Sequence, residues 1–418
     1  MPDRAKSEAK DIWLLIRTFI KWLIIAGVTG AVGGAVGGFF NISVSQATLM
    51  RTAHPWMLYL LPVGGVLIAG LYKLTGMEKQ NTNTIIDSVH FGENVPVILV
   101  PVIFLATVVT HLVGGSAGRE GAALQIGGGL GCSIGRAFHL DEKDLRLATL
   151  CGMSAVFSAL FGTPLTAALF ALEVISVGVF YYSGLVPCIV SALTAFAVTR
   201  LMDIAPTRFI LVMLPLSANI IWRVAILAVI CAAVSAVFCV IMHDSERLAA
   251  DWMPNPFIRA ALGGAAVILL TVVVGTTDYN GTGMNVISAA IEHGKADPAA
   301  FFWKIVFTAV TLGCGFKGGE MVPTFFIGAT LGCVVGPLLG LPAGFSAAIA
   351  LIAVFCGAVN CPIAAIALSV ELFGSTELTY FALACGISFM LSGYTGLYRS
   401  QKILYSKTKA EFINIQAK

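Results

Sequence analysis

The sequence predicts an all-α membrane protein, a bundle of many tilted and broken helices built from two related and inverted halves. Three observations predict it. Of 418 residues, 58% are hydrophobic and only 11% are charged, whereas a soluble domain carries about 25% charged residues. Long apolar runs are repeatedly interrupted by glycine-rich segments that contain charge. Landmarks of the first half recur in the second at a nearly constant offset.

So few charges cannot cover a water-facing surface, which excludes a soluble enzyme, a nucleic-acid binder and a disordered scaffold. A formal net charge of +3 is too small to imply a polyanionic partner. The 44 glycines suit membrane helices whose backbones approach closely. The ten cysteines lie in apolar stretches, without a CxxC pair or a histidine at ligand spacing. They read as buried free thiols, and no metal or cofactor is expected. No HExxH or Cys/His cluster supports an enzyme. The N-terminal ten residues are polar and the first apolar run is too long for a cleaved signal.

Runs long enough to span a bilayer are Trp22–Ile42, Trp56–Tyr72, Val95–Val113, Ala225–Met242 and Ala261–Val274. Ile305–Phe316, Met321–Leu351 and Phe381–Leu391 follow. They are uniformly apolar rather than alternating, which excludes a β-barrel. Gly30, Gly34 and Gly38, with Gly33 and Gly37 beside them, form a stripe on the first span for another helix to approach. Arg4, Lys6 and Lys10 at one end and Lys402, Lys407 and Lys409 at the other place both termini in the cytoplasm by the positive-inside rule.

The repeat covers roughly residues 20–205 and 220–418 of a single transmembrane transport domain, 1–418. Ile126-Gly127 and Leu130-Gly131-Cys132 return as Ile327-Gly328 and Leu331-Gly332-Cys333. Ala155-Val156-Phe157, Pro164 and Glu173 return as Ala353-Val354-Phe355, Pro362 and Glu371. Glu173 and Glu371 read as capping or ion-pair groups at helix ends.

The two principal breaks are Gly118-Arg119-Glu120-Gly121 and Gly318-Gly319-Glu320-Met321-Val322-Pro323. Non-helical backbone at membrane depth survives only when buried in protein or lining a cavity, and paired breaks in two halves point to a transport site. Each break precedes an apolar helix, so a helix N-terminus with free N–H groups lies inside the membrane, an anion site by its geometry. Gly118, Arg119, Gly121, Gly319, Met321 and Val322 are the backbone candidates. Glu120 reads as a substitute anion or a proton carrier; the plainer alternative is a helix cap or an ion pair with Arg119. Glu320 is a second intramembrane carboxylate that Lys317 is placed to neutralise. Phe325 and Phe326 read either as packing aromatics or as ring edges offered to an anion. His90 and His111 read as satisfied or interfacial histidines, and Asp141–Asp144 as a solvated loop.

These motifs resemble the CLC family of anion channels and anion/proton antiporters. Gly118-Arg119-Glu120-Gly121 followed by Gln125-Ile126-Gly127 resembles the family's GREGP helix start, and Gly318–Pro323 its GGIFxP start. Tyr398, just before an expected last helix, matches the inner-gate tyrosine. The resemblance implies a homodimer with one pathway per subunit. The chain departs from the pattern as well. Glu78–Thr84 stands where the GSGxP anion loop belongs, with Asn81 replacing its serine. Ala122 replaces the usual proline, and Val174 replaces the inner proton-handling glutamate. Glu320 stands where ordinary members are apolar, and no CBS pair follows the last helix. Asn81, the Gly-Gly-Glu motif and the paired phenylalanines together resemble the fluoride-exporting subclass, which exchanges fluoride for protons in the bacterial inner membrane. The resemblance therefore implies fluoride/proton exchange at Asn81, Tyr398 and the two helix starts; the alternatives are a chloride/proton antiporter and a passive chloride channel.

Overall fold

The computed structural model describes residues 2–92, 94–212 and 214–418, with side chains from Lys10 onward. Helices dominate, and they fall into two series of eight among the described residues. The first is α1 (Pro2–Ala53), α2 (Leu61–Thr75), α3 (Thr82–Phe91), α4 (Leu99–Val113), α5 (Glu120–Ala137), α6 (Glu142–Phe161), α7 (Pro164–Glu173) and α8 (Leu185–Leu201). The second is α9 (Ala218–Trp252), α10 (Pro256–Val274), α11 (Met284–Glu292), α12 (Ala300–Gly313), α13 (Met321–Leu338), α14 (Ala343–Val359), α15 (Pro362–Phe373) and α16 (Leu378–Leu391). Seven helices or helix pairs are long and apolar enough to cross a membrane by length and composition.

The repeated glycines explain the centre of the bundle. A Cβ on Gly127 or Gly131 of α5 would collide with the carbonyls of Gly152 or Ala148 on α6. A Cβ on Gly328 or Gly332 of α13 would meet those of Ala350 or Ser346 on α14. The Ile-Gly and Leu-Gly-Cys landmarks are thus the close-packing face of one helix pair, used twice. The α1 stripe serves two neighbours: Gly30 and Gly34 lie against α8, Gly33 and Gly37 against Ala155 and Ala159 of α6.

The halves meet through exchanged hydrogen bonds, as a two-fold relation requires. Gly118 and Gly319 donate their N–H groups to each other's carbonyls at 2.7 and 2.8 Å, running antiparallel. Ser116 N–H donates to Thr311 Oγ1 at 3.1 Å, and Lys317 N–H donates to Thr110 Oγ1 at 3.3 Å. The Glu371 carboxylate accepts from Leu165 and Thr166 at the start of α7, and the Glu173 carboxylate accepts from Ile363 and Ala364 at the start of α15. Each glutamate therefore caps the proline-initiated helix of the other half, the capping role its position suggested.

Three expectations need correction. The single run Met321–Leu351 is two helices, broken between Leu338 and Ala343, where Gly340 has φ +69°. Hydropathy merged them because the loop itself, Leu339–Pro342, has no charge. No helix follows Tyr398. The chain instead forms β2 (Lys402–Tyr405) and β3 (Phe412–Gln416), which join β1 (Ser176–Val177) in the order β1-β2-β3, parallel then antiparallel. Ile403, Tyr405, Phe412, Ile413 and Ile415 are β-favouring residues in short alternating runs. Finally, α6 and α8 complete the bundle although neither stood out as an apolar run. The last fourteen residues of α6 are all buried, so protein neighbours replace lipid around its Ser, Thr and Gly positions.

Candidate anion and proton site

Everything distinctive about the site follows from the Gly118–Gly319 crossing. It sets the starts of α5 and α13 side by side in the interior, each with unpaired N–H groups at its first turn. Glu120 is the first residue of α5 and is fully buried. Its Oε2 accepts from Arg119 N–H at 2.9 Å and from Val322 N–H, in the first turn of α13, at 3.3 Å. Its Oε1 has no hydrogen-bond partner among the described residues and lies 4.0 Å from Arg119 Nε. The carboxylate of one half thus sits on the helix start of the other, where an anion would bind.

Glycine is required here by close approach. A Cβ on Gly118 would overlap Glu120 Oε2, and one on Gly319 would lie 2.5 Å from Gly121 N. Gly121 has Gly318 O and Gly319 Cα at 3.1 Å from its would-be Cβ. Beside its contact with the Glu120 carboxylate, Arg119 is tied to α1: its Nη1 donates to Asn41 Oδ1 at 2.7 Å, and Asn41 Nδ2 donates to Leu160 O at 3.1 Å. Met321 and Val322 are buried, with Val322 supplying its N–H.

Glu320 occupies the N-cap position of α13. Its Oε2 is buried without a partner among the described residues, 3.3 Å from where a Cβ on Gly121 would stand. Glu320 lines a cavity of 560 Å³ together with Asn81, Gln125, Lys317 and Tyr398. The expected Lys317–Glu320 pairing is not formed: the Lys317 ammonium lies 4.6 Å from the centroid of the Tyr72 ring. The break around Gly318 is not helical, so a three-residue spacing does not put the two side chains together.

Tyr398 reaches the same cavity from the far end of the chain. It is 2% exposed and its hydroxyl has no protein partner among the described residues. The loop that carries it is tied down on both sides. Leu397 N–H donates to Ala358 O at 2.9 Å, and the Gln401 carboxamide donates to Val174 O and Val359 O at 3.0 Å. Asn81 caps α3: its Oδ1 accepts from Thr84 N–H at 3.3 Å, and Thr84 Oγ1 accepts from Asn81 N–H. With the carboxamide oxygen engaged, the amide Nδ2 is the donor left for the cavity. Thr82 and Gln125 link this cap to α5, through Thr82 Oγ1 to Gly121 O at 3.4 Å and Gln125 Nε2 to Thr82 Oγ1 at 3.2 Å.

Phe325 and Phe326 stand apart from this group. Phe325 packs on Phe161 and Phe355, and Phe326 packs on Tyr279, with centroids 5.2–6.1 Å apart. Neither is among the residues lining the cavity, and their contacts are those of the packing reading. His90 and His111 bond backbone carbonyls of Ile175 and Thr107.

Sequence reasoning passed over Lys304. It is fully buried in α12, and its ammonium donates to Tyr279 O at 3.1 Å and Gly281 O at 2.7 Å. The signal was present, since a lysine inside Phe-Phe-Trp-Lys-Ile-Val-Phe is as conspicuous as Glu120.

Comparison with known proteins agrees with this architecture. A sequence model for voltage gated chloride channels matches residues 64–393. A chloride/fluoride channel protein of Pseudomonas syringae pv. tomato is 36% identical over 401 residues, covering 94% of this chain and 89% of its own length. An H(+)/Cl(-) exchange transporter of Yersinia pestis is 26% identical over 390 residues, covering 85% of this chain and 81% of its own. The crystal structure of a CLC-type fluoride/proton antiporter superimposes with a TM-score of 0.89 at 31% identity, over 92% of this chain and 98% of that one.

Proposed function

From the premise that the chain belongs to the voltage-gated chloride channel family, we propose that it exchanges fluoride for protons across the membrane. The likeness to a fluoride/proton antiporter and to a chloride/fluoride channel protein supports this reading over chloride exchange. The observation that carries it is the Glu120 carboxylate seated on the N–H groups of Arg119 and Val322. An ionised carboxylate there holds the place of the transported anion and closes the path. Protonation removes the charge that attracts it to those N–H groups, so the side chain leaves and fluoride takes its place. Each exchange then moves one species against the other.

Fluoride is small and strongly hydrated, and its desolvation needs strong donors. The Asn81 amide, the Tyr398 hydroxyl and main-chain N–H groups near Glu320, Met321 and Val322 supply them. Arg119, Gly118, Gly121 and Gly319 shape the passage between the helix starts. Glu320, between the cavity and Gly121, relays protons to Glu120 and takes the part that Val174 cannot. The whole chain acts as one transmembrane domain, in a bacterial inner membrane with both termini cytoplasmic, as a lipid-embedded homodimer with a pathway in each subunit.

The deciding experiment is simultaneous fluoride and proton flux from proteoliposomes. Fluoride efflux that drives proton uptake, with chloride much slower, supports the proposal. Equal chloride flux with coupling indicates a chloride/proton antiporter, and anion flux without proton movement indicates a channel.

A further inference from the structure

A second group of charges lies outside the cavity. Lys21, paired with Asp144 at the start of α6, and Arg51 are thirty residues apart on one helix. That distance is about 45 Å along the axis, enough to cross a bilayer. Arg51 ends the helix beside exposed Thr52 and Ala53, close to the surface at that end.

There Arg51 and Lys304 flank a single residue, Gly281. The Lys304 ammonium holds Gly281 O at 2.7 Å, and a Cβ on Gly281 would lie 3.2 Å from Arg51 Nη1. Arg51 also lies against Gly114, whose would-be Cβ is 3.5 Å from the same nitrogen. Both glycines have positive φ, +92° and +62°, and so are doubly constrained to glycine. Gly281 N–H donates to Gly115 O, and Asn280 Nδ2 to Gly114 O, which closes the two loops on each other.

The charges do not balance. Neither Arg51 nor Lys304 forms an ion pair among the described residues, and Arg51 Nη1 is buried without a partner. Lys304 has two carbonyls and the Phe326 ring, 5.1 Å away, but no carboxylate. Two adjacent desolvated cations repel each other, and a protein keeps such a pair at a cost unless an anion joins them. Neither residue lines the 560 Å³ cavity. Residues 115–119 span the gap from this cluster to Glu120, at most about 17 Å of extended chain.

We propose that Arg51 and Lys304 form a second anion site, outside the cavity, that takes a small monovalent anion such as fluoride on its path past Glu120. The site rests on the transport reading above and deepens it: the anion meets a carboxylate-gated station and then a purely cationic one. Arg51 Nη1 supplies the unpaired donor and Lys304 the second charge.

The test is titration of the full-length detergent-solubilised protein with sodium fluoride by calorimetry, paired with fluoride flux in liposomes. The parent should bind fluoride with more than one site per chain. Arg51→Gln and Lys304→Gln should each weaken one of these sites by roughly tenfold, the loss of about 1.4 kcal/mol of attraction, and leave the other unchanged. Arg51→Lys should restore most of the binding, because it keeps the charge; Lys304→Gln alone could act through the loop it pins. Unchanged stoichiometry and affinity in Arg51→Gln would overturn the second site, as would Arg51→Gln weakening binding that Arg51→Lys fails to restore. A parent that neither binds nor moves fluoride would overturn the transport reading instead.

Discussion

The two helix starts are built alike and equipped differently. At 201 residues apart, Gly118 pairs with Gly319, Arg119 matches Glu320, and Glu120 matches Met321. The backbone obeys the two-fold relation, down to the exchanged Ser116–Thr311 and Lys317–Thr110 hydrogen bonds. The side chains do not. The Glu120 carboxylate is held by two N–H groups at the crossing, whereas Glu320 Oε2 is buried beside the cavity without a partner among the described residues. A symmetric scaffold supplies two buried helix ends, and in the proposed exchange the asymmetric carboxylates give the path a direction: one group competes with the anion and the other faces the proton supply.

The largest effect should come from removing the charge that competes. Glu120→Gln cannot ionise, so proton flux in liposomes should fall by about a hundredfold while anion movement persists, a loss of roughly 2.7 kcal/mol in the coupled step. Intact coupling in that variant would break the assignment. Glu320→Gln should slow proton flux by about tenfold and alter fluoride flux less; an equal fall in both fluxes would instead make Glu320 part of the anion path. Filling the crossing tests the scaffold. Gly118→Ala would push on Glu120 Oε2 and should cost about 1–3 kcal/mol, seen as a lower melting temperature and a displaced gate. Gly76→Ala, at a glycine with nothing within 4 Å of a Cβ, should not disturb coupling. The smallest effect belongs to the paired caps. Glu173→Gln and Glu371→Gln should each lose about 1 kcal/mol of stability and leave the fluoride-to-proton ratio unchanged. A changed ratio in Glu173→Gln alone would show that the caps have diverged as the helix starts did.

How much of this was legible beforehand depends on the kind of signal. The broken starts were readable because a carboxylate or lysine in an apolar run is costly, and Glu120 and Glu320 both stood out for that reason. Lys304 obeyed the same rule and was missed because no glycine break accompanied it. The Lys317–Glu320 pairing does not form, since sequence spacing does not say which way a side chain turns from non-helical backbone, and for the same reason the sequence left two readings of Phe325 and Phe326. The helix expected after Tyr398 was wrong because a short β-favouring run next to a helical bundle carries little periodic signal.

By itself the sequence determined the membrane setting, the doubled organisation and the residue types at the two helix starts. Hydropathy, glycine spacing and repeated landmarks are local or periodic properties, and they survive without coordinates. Only the tertiary structure decided that Gly118 and Gly319 cross, that Glu120 sits on the neighbouring helix start, that Tyr398 arrives at the cavity of Asn81 and Glu320, and that Arg51 meets Lys304. Each of these contacts joins chain segments far apart in sequence, and such a meeting is set by packing of the whole bundle rather than by any local preference.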